Sequence, residues 1–295
     1  WTWHSFWYDR QLTEQNAGAC VRACTKAGLN EIFFTLWGDD GAYCDFDSAL
    51  AGMAYTSELM YCGDVSPTTL ARRFSAICGG DYTAVCLASN VNMHESSTLG
   101  GAAVGHTSSA FFWDDPLLSI CYHNKAMQQP TYWPKQRQHY KKLIAALTKT
   151  STGRVARSKQ SVAVVNGGAA HALLLAKILY QKIDISIELD KAYRRRKKDA
   201  LRTVCGKIPP VIKSLGEFDR SLRQMWLARN KPQGLEVLQI RIAGQIRRYE
   251  EVRQRLREFC AGRITAIDEL EERPKKTLAK LSRRYRDIAT GSATF

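Results

Sequence analysis

Residues 226–272, WLARNKPQGLEVLQIRIAGQIRRYEEVRQRLREFCAGRITAIDELEE, carry the pattern that decides the fold class of this chain. Apolar residues recur at helical spacing, and the pattern predicts one helix over 210–229 and another over 234–261. Similar patterns predict helices over 161–182, 184–205 and 274–289. No alternating strand pattern competes with them, and the loops are short, so neighbouring helices should be antiparallel.

The first 62 residues carry a different pattern. Residues 1–10 look like a strand end, and a helix is predicted over 11–28 with Gly28 as its C-cap. The near-continuous apolar run EIFFTLW, residues 31–37, predicts a strand buried on both faces, and a helix over 45–62 follows. This order of strand, helix, strand and helix is typical of an α/β fold. Further along the chain, shorter helices are predicted over 67–78 and 135–149.

The predicted strand ends abruptly in Trp37-Gly38-Asp39-Asp40. An indole offers a flat apolar face to the C–H side of a pyranose ring, and a carboxylate accepts hydrogen bonds from two sugar hydroxyls. In a (β/α)8 barrel, binding groups lie at the C-terminal ends of the strands. The alternative is that Asp39 caps the next helix and Trp37 belongs to the core. The two carboxylates could also hold a cation, but no third oxygen ligand is evident nearby.

A second aromatic group stands one βα unit earlier. Trp1, Trp3, His4 and Trp7 follow a presumed strand end. Aromatic walls from adjacent strands would face the same barrel mouth as Trp37, so they predict further parts of a sugar site. The alternative is an aromatic core plug, which is the stronger interpretation for Trp7.

The net charge of +15 is unevenly distributed. Residues 1–133 hold 6 Lys and Arg against 13 Asp and Glu, whereas residues 134–295 hold 37 against 15. The opposite balance of the two halves indicates two modules. The run YRRRKK, residues 193–198, and the arginines at 241, 247, 248, 253, 255 and 257 could serve nucleic acid. Because Glu250, Glu251 and Glu258 accompany those arginines, a solvated, charged helical face is favoured over a nucleic-acid partner.

Several classes of site and location are disfavoured by the composition. The nine cysteines are scattered and form no CxxC pair, which favours free thiols over zinc and predicts a reducing, cytoplasmic location. No apolar stretch is long enough to cross a membrane. The six histidines are isolated, and no Gly-rich phosphate loop occurs. We therefore expect neither a metal nor a cofactor.

The residues resemble glycoside hydrolase family 20, the β-N-acetylhexosaminidases, in the bacterial branch with a helical C-terminal domain. TLWGDDGAY, residues 35–43, is similar to the last barrel strand, and WTWHSF, residues 1–6, to the strand end before it. FFWDDPLLSI, residues 111–120, and the stretch 226–272 are similar to the helical domain. In that last stretch these residues fall in the expected order: Trp226, Asn230, Lys231, Gly234, Glu236, Arg241, Gly244, Arg248, Gly262 and Glu269-Leu270-Glu271.

The resemblance implies a mainly α chain that holds the last two βα units of a (β/α)8 barrel and an all-helical C-terminal domain. The implied boundaries are residues 1–64 for the barrel end, 65–150 for a helical and irregular connection, and 151–295 for the helical domain. Family members remove terminal N-acetylhexosamine with retention, through attack by the substrate's own 2-acetamido oxygen. Their catalytic Asp-Glu pair lies on an earlier strand, so this chain would hold no catalytic residue and would be inactive alone.

Site residues are carried over by position. Asp39 matches the family carboxylate that binds hydroxyls of the terminal sugar, Trp37 matches an aromatic pocket wall, and Trp1 and Trp3 are expected on the acetamide side. The implied partner is a glycan that contains N-acetylhexosamine. The alternative is a non-catalytic basic helical module that binds an acidic partner or nucleic acid. The sequence leaves open the oligomeric state and the choice between N-acetylglucosamine and N-acetylgalactosamine.

Overall fold

The computed structural model of the chain describes residues 5–38, 43–93, 106–152 and 163–271. The chain divides into two compact units. Unit 1 comprises Trp1–Ser109 and Leu143–Leu173, and unit 2 comprises Ala110–Lys142 and Leu174–Phe295. The described residues are mainly helical, which confirms the mainly α prediction. The predicted domain boundaries at 64 and 150 stay predictions.

Twelve α-helices lie in the described ranges, with a π-helical segment at Thr13–Ala17 and 3-10 turns at Phe46–Ala49 and Ser89–Val91. In chain order they are α1 Arg10–Leu12, α2 Gly18–Lys26, α3 Leu50–Cys62, α4 Pro67–Cys78, α5 Tyr82–Ala88, α6 His106–Trp113, α7 Ile120–Gln128, α8 Tyr132–Thr152, α9 Ala163–Arg194, α10 Lys198–Arg229, α11 Leu235–Cys260 and α12 Asp268–Glu271.

Local end signals explain the helices of unit 1. The side chain of Asp9 accepts a hydrogen bond from the Leu12 backbone N–H at 2.9 Å, which caps α1. Gly28 has φ +70 directly after α2, as predicted for its C-terminal end. Helix α4 begins with Pro67 in its first turn and ends at Gly79, which has φ 70. The helices predicted over 11–28, 45–62 and 67–78 are therefore confirmed.

The strand predicted over 31–37 is not formed in the structure. Residues 29–38 are not helical, but no strand is formed anywhere in the described ranges. A strand gains its backbone hydrogen bonds only from a neighbouring strand, and none of the described residues supplies one. The barrel units therefore find no support in the secondary structure.

The ends of the long helices were also predicted wrongly. Helix α9 runs to Arg194 without the predicted break near 183, and α10 runs through Pro209 and Pro210, where a break was predicted. The chain turns instead at Arg196, which has φ 50. Proline removes one backbone donor and disfavours a helix interior, but tertiary packing on both sides can hold such a helix together.

The core of each unit is built from the apolar faces of its own helices. In unit 1, Val21, Leu70, Phe74 and Val85 are buried, and α3 packs against α2 and α4. In unit 2, α10 and α11 pack along each other. The Cys260 thiol lies 3.6 Å from the carbonyl oxygen of Lys198, so the end of α11 meets the start of α10. This confirms that these neighbours are antiparallel.

The length and hydropathy of the helices bear on whether they could cross a membrane. In the described ranges, no helix combines the length and the apolar character needed to cross a bilayer.

Candidate functional site

The predicted sugar-binding residues are only partly visible. Trp1, Trp3 and Asp39 lie outside the described residues. Trp37 is described, and its side chain is 56% exposed at the end of the non-helical segment 29–38. Its Nε1 atom donates a hydrogen bond to Thr35 Oγ1 at 2.9 Å. An exposed indole keeps a face for a ligand, so the role of Trp37 as a pocket wall stays a prediction.

The described residues that flank the predicted site do come together. Phe6, shortly after Trp3, and Tyr43, shortly after Asp39, are both buried, and their ring centroids lie 4.7 Å apart. The backbone N–H of Tyr8 donates to Ser48 Oγ at 2.9 Å. Unit 1 therefore joins the segment that follows the first aromatic group to the segment that follows Trp37-Gly38.

Trp7 is part of the aromatic core, as the alternative interpretation predicted. This side chain is 1% exposed, and its Nε1 atom donates to the carbonyl oxygen of Val85 at 2.9 Å. The carbonyl oxygen of Trp7 accepts a hydrogen bond from Asn92 Nδ2 at 3.0 Å. Because the indole N–H and the carbonyl oxygen of this buried residue are hydrogen-bonded inside unit 1, Trp7 is a core residue that anchors this segment.

Unit 2 contains a buried polar network that the sequence analysis missed. The ammonium of Lys182, on α9, is 2% exposed and donates to the carbonyl oxygens of Phe112 at 2.6 Å and Asp114 at 3.0 Å. It also donates to Gln245 Oε1, on α11, at 2.9 Å. Burial lowers the pKa of Lys182 to about 8, although Asp114 and Asp115 act against that shift.

Two adjacent carboxylates complete this network. Asp114 accepts hydrogen bonds from Ser119 Oγ at 2.6 Å and from the backbone N–H groups of Ile120 at 3.0 Å and Tyr122 at 3.1 Å. Burial raises the pKa of Asp114 to about 6, because these hydrogen bonds and Lys182 only partly offset the desolvation.

Asp115 links the same turn to α11. Its carboxylate accepts from the guanidinium of Arg248 and from the backbone N–H of Leu117 at 2.8 Å. These contacts fasten the turn after α6 to α9 and α11. The sequence showed the Asp pair, but its partners lie about 70 and 130 residues away along the chain, where no spacing rule could find them.

A cleft of about 400 Å³ opens on unit 2 between α7, the start of α8 and the end of α9. Met127 and Pro130 contribute apolar surface to it, and Asp190, Lys191 and Arg194 contribute charge. Arg194 Nε lies 2.7 Å from Asp190 Oδ1. No group of three or more metal-binding side chains occurs in this cleft or elsewhere in the described part of the chain.

Three of the six arginines of α11 pair with carboxylates, and one of them is Arg248 with Asp115. Arg247 lies 3.1 Å from Glu250 and 3.6 Å from Glu251, and Arg255 lies 3.4 Å from Glu269. Arg241 is buried, with its guanidinium 4.0 Å from the ring centroid of Trp113. The solvated, charged helical face, favoured over a nucleic-acid surface, therefore stays a prediction for α11.

Comparison with known protein families gives a match. The model of a family described as the Glycoside Hydrolase 20C C-terminal domain matches residues 87–285, which is well over half of the chain. The matched range includes the turn with Asp114 and Asp115 and all of α11. No curated protein matches the chain.

Proposed function

This chain belongs to glycoside hydrolase family 20, and from that premise we propose that it is the C-terminal part of a β-N-acetylhexosaminidase. The proposed reaction removes a terminal N-acetylhexosamine with retention of configuration, and the 2-acetamido oxygen of the substrate attacks the anomeric carbon. In this proposal the acid/base Asp-Glu pair stands upstream of residue 1. The part played by this chain is to bind the sugar and to supply the helical domain.

We propose further that residues 1–64 supply the last two βα units of a barrel. The support lies in residues 31–38, which are not helical and alternate between exposed and half-buried side chains at every step. Phe33 is 90% exposed, an unusual state for a large apolar side chain. A two-residue period is the geometry of a strand, and neighbouring strands would cover this apolar surface.

In the proposed site, Trp37 and Asp39 bind the terminal sugar, with Trp1 and Trp3 on the acetamide side. The observation that carries this proposal is the contact between Phe6 and Tyr43, because it brings the flanks of both predicted segments together in unit 1. The indole would cover the C–H face of the ring, and the carboxylate would accept two hydroxyl protons.

The test is hydrolysis of an aryl N-acetylglucosaminide by the longer gene product that includes the upstream barrel. In that protein, Asp39→Ala should lower kcat/KM about 30- to 1,000-fold. This corresponds to a loss of roughly 2–4 kcal/mol of transition-state stabilisation, as expected for a lost charged hydrogen-bond partner. Asp64→Ala is the matched control, since Asp64 is exposed and its carboxylate accepts only from the neighbouring Val65 N–H. It should change kcat/KM less than about twofold.

Two results would contradict the proposal. Near-normal turnover by Asp39→Ala would remove that carboxylate from the site. Hydrolysis by the 295-residue chain alone would show that the catalytic groups do not stand upstream. The chain alone should therefore be assayed beside the longer protein at equal concentration.

A further inference from the structure

Residues 191–198, KAYRRRKK, join α9 to α10 and are called the basic turn. Six of these eight residues are Lys or Arg. Arg194 pairs with Asp190, and Arg196 Nη2 lies 2.6 Å from Glu271 Oε1. The other four are exposed and have no ion-pair partner among the described residues: Lys191, Arg195, Lys197 and Lys198. On α11, by comparison, three of the six arginines lie within ion-pair distance of a carboxylate: Arg247, Arg248 and Arg255.

The basic turn is held in one conformation. Arg196 has φ 50, which costs energy for a residue other than glycine and persists only where the surroundings enforce it. Its guanidinium lies 4.6 Å from the ring centroid of Tyr193 and 5.4 Å from that of Phe259. The hydroxyl of Tyr193 accepts a hydrogen bond from the Ile267 N–H at 2.8 Å. The unpaired cations therefore project from a fixed backbone, which lowers the entropy cost of binding.

The cleft of unit 2 adjoins the basic turn. Lys191 and Arg194 belong to the turn and also line the cleft, whose volume lies in the range of small-ligand sites. The cleft combines apolar surface at Met127 and Pro130 with the ion pair of Asp190 and Arg194. A sugar ring needs both kinds of surface, because one side of the ring presents C–H groups and its edge presents hydroxyls.

We propose that the basic turn and this cleft bind an anionic glycan, one whose sugars carry sulfate or carboxylate groups. Ammonium and guanidinium groups form their strongest hydrogen bonds with such oxyanions. Nucleic acid fits less well, because the described aromatic residues of the cleft, Tyr122 and Trp133, are buried and offer no face for base stacking. That this glycan is also the substrate chain rests on the proposed hydrolase function.

Binding can be measured with the whole 295-residue chain and a fluorescent heparin hexasaccharide. The turn variant replaces Lys191, Arg195, Lys197 and Lys198 by Ala. The control variant replaces four other exposed cations of unit 2 by Ala: Lys213, Arg220, Arg223 and Lys231. Each variant lowers the formal net charge from +15 to +11, so non-specific attraction falls equally in both.

We expect the turn variant to bind the hexasaccharide at least about tenfold more weakly, and the control variant less than about twofold more weakly. The slope of log K against log salt should flatten by about 3 in the turn variant and by less than about 1 in the control. Neutral N-acetylchitohexaose should not compete. Thermal melts of both variants should match the wild type, since all eight side chains are exposed.

Two outcomes would overturn the proposal. Equal losses of hexasaccharide affinity in both variants would show that binding depends only on the net charge of the protein. A single-stranded DNA oligonucleotide that displaces the hexasaccharide at equal or lower charge concentration would make the turn a nucleic-acid surface. The uncharged aryl N-acetylglucosaminide tests the hydrolase separately. If that substrate is not cleaved while heparin binding persists, the turn still binds anionic glycans and only its link to a substrate is lost.

Discussion

Lys182→Met is the change that tests most directly how unit 2 is held together. The wild-type ammonium is buried and donates three hydrogen bonds, to Phe112, Asp114 and Gln245. Methionine has a similar length and fills the space, but it donates nothing. The substitution therefore leaves three acceptors without their donor, and it leaves the buried carboxylate of Asp114 without its nearby positive charge.

The expected cost follows from these contacts. Hydrogen bonds to a charged group contribute about 1.5–3 kcal/mol each, so the gross loss for three is about 5–9 kcal/mol. Removing a buried ammonium returns several kcal/mol of desolvation cost. Burial lowers the pKa of Lys182 to about 8, so this return is substantial. We expect a net destabilisation of about 3–5 kcal/mol, as when one partner of a buried pair is removed.

The assay is urea unfolding of the whole chain followed by circular dichroism, with hydrogen exchange of the segment 110–122 as a local readout. Lys191→Met is the matched control, since Lys191 lies on the same helix but is exposed. It should change the free energy of unfolding by less than about 0.5 kcal/mol. If Lys182→Met stays within about 0.5 kcal/mol of the wild type and exchange at 110–122 is unchanged, our account of the network is wrong.

Two further predictions concern pH and glycine. Burial raises the pKa of Asp114 to about 6, so the protonated side chain stabilises the fold fully below about pH 4, and this stabilisation is lost as the pH rises through 6. Relative to Asp114→Asn, the free energy of unfolding of the wild type should rise by about 2–3 kcal/mol when the pH is lowered from about 7 to 4. Urea unfolding measures this difference, and parallel pH profiles of the two proteins would contradict it. Gly234 has φ +94, and an added Cβ would lie 3.2 Å from the Trp226 ring, so Gly234→Ala should destabilise by about 1–2 kcal/mol. By contrast, Gly216 lies inside α10 with only ordinary contact available to a Cβ, so Gly216→Ala should stabilise by about 0.5–1 kcal/mol. Thermal melts should show these opposite signs.

Local signals in the sequence determined several elements correctly. Helix α4 was predicted at its observed ends, and the structure shows Pro67 in its first turn and Gly79, at φ 70, after its last residue. Helix α11 was predicted to within a residue at each end, since a periodic apolar face specifies a helix wherever it packs. The resemblance to family 20 also came from residue order, and the family match confirmed it.

Other features depended on contacts between residues far apart. The turn between α9 and α10 falls at Arg196, where stacking on Tyr193 and Phe259 holds a strained backbone, and not at Pro209, which the local rule favours. The sequence offered both Trp7 and Trp37 as aromatic candidates, with the core favoured for Trp7, but only the structure shows that Trp7 bonds to Val85 and Asn92 while Trp37 is exposed.

The sequence by itself therefore determined the helical class, the ends of helices such as α4 and α11, and the family. The tertiary structure alone decided which charges are buried and paired, as with Lys182 and Asp114, and which remain available, as in the basic turn. The physical reason is the distance along the sequence between the residues that interact. Capping and helical periodicity act between residues within four positions of each other, whereas burial and ion pairing depend on partners that the chain brings together only when it folds.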